Sequence, residues 1–253
     1  MTQILRDINL IFQRQMRQSL RNPVWVVIGL INPILYLAFF GPLATQFAKY
    51  SDPHANGWSI YVPGLLVQLG LFGSSFVGFG LIGEWRDGII ERMRVTPVSR
   101  VALLLGRVLR DVVVLLTQSI LLLAAAVILG LRAPLFGVFL GLAFIFLLAI
   151  SLSSVSYTLA MMTKSEDAFA AMLNTITVPL MLLSGILLPM NRAPAWLRTL
   201  SHFNPFYYIV EAMRDVFQGH YLSGSVAAGL LVAVAMSALA VWRGTSTFQK
   251  ENV

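Results

Sequence analysis

The chain has 253 residues, 57% of them hydrophobic and only 11% charged, with a net charge of +7. Soluble domains carry about a quarter charged residues, so this composition excludes a soluble globular class and points to a bilayer as solvent. It also lacks cysteine, which removes disulfide frameworks, thiolate metal sites and cysteine nucleophiles from consideration.

In chain order, the first element is a helix over residues 3–21. Ile4, Ile8, Ile11, Phe12, Met16 and Leu20 recur at helical spacing, and Arg6, Asp7, Gln13, Arg14, Arg17 and Arg21 take the other face. Such an amphipathic helix, with a basic face suited to anionic headgroups, is expected along the cytoplasmic interface over residues 1–22. A helix lying on a protein partner is the other reading. The next run, 24–44, is apolar without an A-x-A cleavage site and is expected to remain as the first span. Five further spans are predicted at 58–82, 101–131, 135–162, 168–188 and 222–242. At 1.5 Å per residue each can cross roughly 30 Å of hydrocarbon. Arg107, Arg110 and Asp111 lie in the first turns of the third span, which places those turns at the inner interface and leaves Val112–Leu131 to cross. Pro33, Pro42, Pro63 and Pro179 fall in or near spans, where neighbouring helices re-satisfy the freed backbone groups. No linker or short repeat divides the chain, so the expectation is an all-α integral membrane protein forming a single transmembrane domain over 1–253.

With the N-terminus inside, the predicted cytoplasmic segments hold 13 of the 18 Lys and Arg residues and the external ones 5. This bias places both termini in the cytoplasm. It also explains the positive charge as membrane orientation rather than nucleic-acid binding.

Two connections carry more than a turn requires. The first cytoplasmic one, from Gly83 to Arg100, mixes both charge signs with Ile89, Ile90, Met93 and Val95. A short helix ending before Thr96-Pro97 fits, because the residue before proline leaves the helical region. It could dock in a groove of a soluble partner; a solvated turn bearing orientation arginines is the alternative. The second is the external segment 189–221. Pro194 and Pro205 suit helix starts and Gly219 a stop. Phe206, Ile209, Val210, Met213 and Phe217 form the apolar face of a helix too short to span. A re-entrant helical pair and a flat interfacial helix both fit.

The centres of the spans are nearly free of charge, which argues against a proton relay. Gln68, Asn174 and Thr175, with Phe72, Phe76 and Met181, are candidates for a substrate path, although most polar groups in spans make helix–helix hydrogen bonds. His54, His202 and His220 lie in connections without an HExxH pair, so no metal site is expected. Paired carboxylates, a Ser-His-Asp arrangement and a G-x-x-x-x-G-K-[ST] loop are all missing from the sequence. The chain is therefore not expected to be an enzyme or to hold a cofactor.

Taken together, these features resemble the permease of a bacterial type-2 ABC exporter, the ABC-2 family, over nearly the whole chain. Glu84, Gly88, Glu91, Thr96, Pro97 and Ser99 match the family pattern E-x-x-x-G-T-x-E-x-L-x-x-T-P-x-S, with Ile89 and Met93 departing from its usual Thr and Leu. Leu183-Ser184-Gly185 to Pro189, followed by Asn204-Pro205, is similar to its second signature. The drug- and lipid-exporting members look most alike. The resemblance implies two permeases, of the same or related chains, and two cytoplasmic ABC ATPase subunits that bind the ATP and magnesium. It implies a coupling helix over 84–97, with Glu84, Gly88, Ile89, Ile90, Glu91, Arg92, Met93, Arg94, Thr96 and Pro97 as the ATPase contact. It also implies an external re-entrant gate with Pro189, Asn204, Pro205, Phe206, Tyr207 and Glu211. The expected function is export of an amphipathic drug-like or lipid-like substrate across the bacterial cytoplasmic membrane, among lipid partners. The alternatives are a polysaccharide or glycolipid substrate, an ion-coupled carrier or channel, and a membrane scaffold or enzyme.

Overall fold

The computed structural model describes residues 2–21, 24–51, 56–94, 99–187, 189–190 and 193–250. Among them every regular element is a helix: α1 (Thr2–Arg21), α2 (Val24–Ser51), α3 (Gly57–Ser75), α4 (Gly78–Arg86), α5 (Ile89–Arg94), α6 (Arg100–Ile128), α7 (Leu135–Thr163), α8 (Glu166–Leu183), α9 (Ala195–Ser201), α10 (Pro205–Phe217) and α11 (Gly224–Lys250). Six stretches are long and apolar enough to cross a membrane, supplied by α2, α3 with α4, α6, α7, α8 and α11. The chain is a multi-pass, all-helical membrane protein.

Local chemistry explains the helix starts. Asn56 caps α3 by accepting from the Trp58 amide at 3.2 Å, and Ser99 caps α6 by accepting from Ala102 at 3.2 Å. Ser165 opens α8, whose first turn carries Glu166 and Asp167 against the helix dipole. Lys164, with φ +51, provides the left-handed stop of α7.

α3 is the innermost helix: each residue from Tyr61 to Leu71 is buried. It packs on α2, α6, α7 and α10, while α7 also meets α11 and α6. α2 and α8 instead present exposed apolar side chains, including Ile31, Leu35, Phe39, Phe40, Ile176 and Leu182. Such a face needs lipid or another protein to cover it.

The second span departs from the uninterrupted helix expected over 58–82. Phe76 and Val77 form a turn between α3 and α4. The expected helix over 84–97 is likewise divided. The Asp87 amide donates to the Gly83 carbonyl and the Gly88 amide to the Trp85 carbonyl, both at 3.0 Å, closing α4. Gly88 then takes φ +68 before α5 begins. Glu84 thus belongs to α4 rather than to the short helix that follows.

Two ends of the bundle can be told apart. At the α1 end, α1 lies against the first turns of α6, where a Cβ on Gly106 would meet Ile11 at 2.8 Å and the Ile8 carbonyl at 3.0 Å. The last turns of α11 arrive there too, since a Cβ on Gly244 would meet Leu104 at 2.9 Å. At the opposite, α10 end, the starts of α3, α7 and α11 gather around α10.

Candidate functional site

Polar side chains at the α1 end form a cluster between helices. Glu84, near the end of α4, forms an ion pair with Arg107 of α6. Its other oxygen accepts from the Gln15 amide of α1 at 3.0 Å. All three side chains are buried. One turn further along α6, Asp111 faces Arg110 at 3.0 Å and accepts from the Tyr157 hydroxyl of α7 at 2.6 Å. Asp7 of α1 accepts from the Ser99 amide at 3.3 Å, fixing α1 to the start of α6. The side chains of Arg107 and Asp111, in the turns expected at the inner interface, are buried between helices. The cluster remains partly unsatisfied: Arg107 Nε and Arg110 Nε are buried without a hydrogen-bond partner, and Asp111 Oδ1 has only its ion pair with Arg110.

From this cluster the chain emerges into α5. Ile89 and Ile90 are half-buried, and Ile90 rests on the core, while Arg92 is exposed. The side chains of Glu91, Met93 and Arg94, and all of Thr96 and Pro97, lie outside the described residues. Arg86 pairs with Glu166 of α8 at 3.2 Å, both exposed, and the Lys164 ammonium sits 4.7 Å from the Trp85 ring centroid.

At the α10 end the arrangement rests on one buried cation. Arg214 donates from Nε to the Ile60 carbonyl at 3.1 Å, from Nη2 to the Gly185 carbonyl at 2.6 Å and from Nη1 to Glu211 at 2.7 Å. It therefore ties the start of α3, the turn after α8 and α10 together. Burial pulls its pKa below the ordinary arginine value, and Glu211 opposes that. Asn204 caps α10 through the Phe206 amide at 3.0 Å and donates to the Leu180 carbonyl at 2.7 Å. Phe206 is buried, Pro189, Pro205, Tyr207 and Glu211 are half-buried, and the Tyr207 ring meets His202 edge-on at 5.1 Å. Asp215 accepts from Ser223 at 2.7 Å and from Ser225, closing the turn into α11.

Glycines let the backbones approach here. A Cβ on Gly64 would overlap the Ile186 carbonyl, one on Gly137 the Val216 carbonyl, and one on Gly141 the Phe217 ring.

The candidate path residues fall into two groups. Gln68 is buried in α3 with Oε1 unpartnered. Phe72 stacks on Phe76 with centroids 6.2 Å apart, and the series continues through Phe79 to Phe169 of α8, which meets Phe79 edge-on at 4.8 Å. Met181 is half-buried, but Asn174 and Thr175 are exposed on α8, and the Thr175 hydroxyl donates back to the Ala171 carbonyl. Within this chain the structure does not bring those two to the phenylalanine series. Among the described residues no group of His, Asp or Glu could hold a metal ion.

Gln15 and Arg214 were not among the residues marked as functional from sequence. A signal existed for both. Gln15 shares a helical face with Ile8, Ile11 and Phe12, and Arg214 shares one with Val210, Met213 and Phe217. A polar residue on an apolar stripe is a buried one with a partner to find. Tyr157, inside an apolar span, gave no such signal.

Comparison with known proteins agrees with this architecture. The family described as ABC-2 type transporter matches residues 6–217. A Cyanophora paradoxa chain named as the transport permease ycf38 is 27% identical over 84% of this chain and 74% of its own length. The daunorubicin resistance ABC transporter permease protein DrrB1 of Streptomyces coeruleorubidus is 26% identical over 87% of this chain and 77% of its own. A protein of Mycobacterium tuberculosis named as a probable doxorubicin resistance ABC transporter permease, DrrC, is 25% identical over 79% and 72% respectively. With six spans, the family match and these relatives in agreement, the chain belongs to the ABC-2 type transporter family as a membrane permease.

Proposed function

We propose that this chain is the permease of an ATP-driven exporter that moves an amphipathic, drug-like or lipid-like molecule out across a bacterial cytoplasmic membrane. Hydrolysis of ATP, with its magnesium, falls to two copies of a separate cytoplasmic ABC ATPase. A second permease, identical or related, completes the path, and the exposed apolar faces of α2 and α8 suit it or lipid.

The carrying observation is the α1 end. α5 protrudes just beyond a buried Glu84–Arg107–Gln15 cluster that joins α4, α6 and α1. A partner pressing on α5 would pull directly on three helices. The 13-to-5 distribution of basic residues supports a cytoplasmic place for this end, and α11 returns to the same end. At the α10 end, Arg214 and Asn204 hold a short re-entrant helix fast between the spans, as the fixed rim of an external gate. The drug-resistance names of the relatives and the Phe72–Phe76–Phe79 series support an aromatic, weakly polar cargo over a polysaccharide or glycolipid. An ion-coupled carrier or channel has no support from the family match.

Purification from native membranes in mild detergent tests the reading. A stoichiometric soluble protein with a Walker A loop is the expected companion. A transport-competent preparation with no ATPase would refute the proposal.

A further inference from the structure

The turn inside the second span has an unusual hydrogen-bond pattern. In an unbroken helix the Gly78 amide would donate to the Ser74 carbonyl, and the Ser75 carbonyl would accept from Phe79. Instead the Phe79 amide donates to the Phe76 carbonyl and the Gly80 amide to the Val77 carbonyl, both at 3.2 Å, three residues back rather than four. Two of the groups released, the Gly78 amide and the Ser75 carbonyl, are taken up by one side chain from another helix. The Ser156 hydroxyl of α7 accepts from the Gly78 amide at 2.9 Å and donates to the Ser75 carbonyl at 2.5 Å. A tight turn of this kind inside a helix is where bending concentrates, and an inserted side chain is a recognised cause.

The two sides of the turn are unequal. α3 is enclosed along most of its length. On α4, a Cβ at Gly80 or Gly83 would meet nothing within 4 Å, so that helix has open space beside it. The turn itself is fitted closely: a Cβ on Gly78 would lie 2.5 Å from the Phe169 ring and 2.9 Å from the Ser156 hydroxyl. Phe76 and Phe79 stack across the turn, and Phe79 meets Phe169.

We propose that Ser75–Gly78 is a pivot on which α4 and α5 swing against a stationary α3, and that Ser156 is the positioning residue that keeps the pivot's backbone satisfied through the swing. A movement of α4 would carry Phe79, and with it the aromatic contact to α8, so that a displacement at α5 reaches the phenylalanine series. This rests on the reading of α5 as the ATPase contact.

The test uses the full chain with its ATPase in lipid nanodiscs. The chain has no native cysteine, so spin labels go on Asp87→Cys at the end of α4 and on Phe139→Cys, exposed on α7. An Ile120→Cys/Phe139→Cys pair serves as the static reference. Trapping nucleotide with vanadate is expected to shift the Asp87–Phe139 distance and leave the reference unchanged. Ser156→Ala should shrink that shift and lower substrate moved per ATP at least five-fold while complex assembly and basal ATPase stay intact. If the distance is unchanged on trapping in a labelled protein with native Ser156 that still transports, the pivot is refuted, whether or not the alanine variant folds. Equal transport per ATP in Ser156→Ala would refute the role of the serine. Cross-linking from Arg92→Cys to the ATPase separates the premises. A cross-link without movement sinks the pivot alone, whereas movement without a cross-link sinks the ATPase contact.

Discussion

The two ends of the bundle are both held by buried charge, but in different ways. At the α10 end, Arg214 spends its donors on two backbone carbonyls and Glu211. At the α1 end, Arg107, Arg110, Glu84 and Asp111 are held mainly by one another and by Gln15 and Tyr157, leaving the buried Nε donors of Arg107 and Arg110 without a hydrogen bond. A cation fixed by backbone carbonyls has one arrangement. A cluster of side chains with spare donors has several of similar energy, because rotamers can exchange partners. The first arrangement suits a frame and the second suits a part that moves. Partial satisfaction also means that the α1 end contributes less stability than its count of charges implies.

The sharpest way to break the comparison is at Arg214. Arg214→Met keeps bulk but strands Glu211 and two carbonyls, and should cost about 3–5 kcal/mol. Thermal unfolding in detergent should show the largest loss among these variants. Gly64→Ala comes next. Its Cβ would overlap the Ile186 carbonyl, which is backbone and cannot rotate away, so a loss of about 1–3 kcal/mol is expected on the same assay.

At the other end, Glu84→Gln should cost about 2 kcal/mol, because Arg107 keeps a neutral acceptor in place of its counter-ion. It should nevertheless lower the transport-to-ATPase ratio more than Gly64→Ala does. A larger thermal loss for Glu84→Gln than for Arg214→Met would reverse the assignment of the two ends. The smallest effect belongs to Arg86→Ala. The Arg86–Glu166 pair is exposed, and its loss should change stability by under about 1 kcal/mol, less still at high salt.

Much of the fold was legible in the sequence because a bilayer makes hydropathy decisive. The six spans and the helix start at Pro205 follow from residue type alone. The division of the second span did not, because it depends on Ser156, some eighty positions away. The glycines and serines from Gly73 to Gly80 permit a turn near Phe76-Val77 but read equally as a site of close helix approach. The partners of Arg107 and Asp111 were not legible for a related reason: an arginine near a span end can reach water or turn inward, and the choice is made by Glu84 and Tyr157 on other helices. The part of the site legible as a motif, Glu84 through Glu91, proved to sit on two helices, with Glu84 on α4, Glu91 on α5 and Gly88 in the turn between them. Gly88 reads as part of one helix because the segment around it keeps a helical pattern.

The most direct test of the account is hydrogen exchange on the assembled permease and ATPase, with and without vanadate-trapped nucleotide. The account predicts altered amide protection in residues 78–94 and 99–111, and little change in 205–217 and 224–232. Changes confined to 205–217, with 78–94 unaltered, would contradict it.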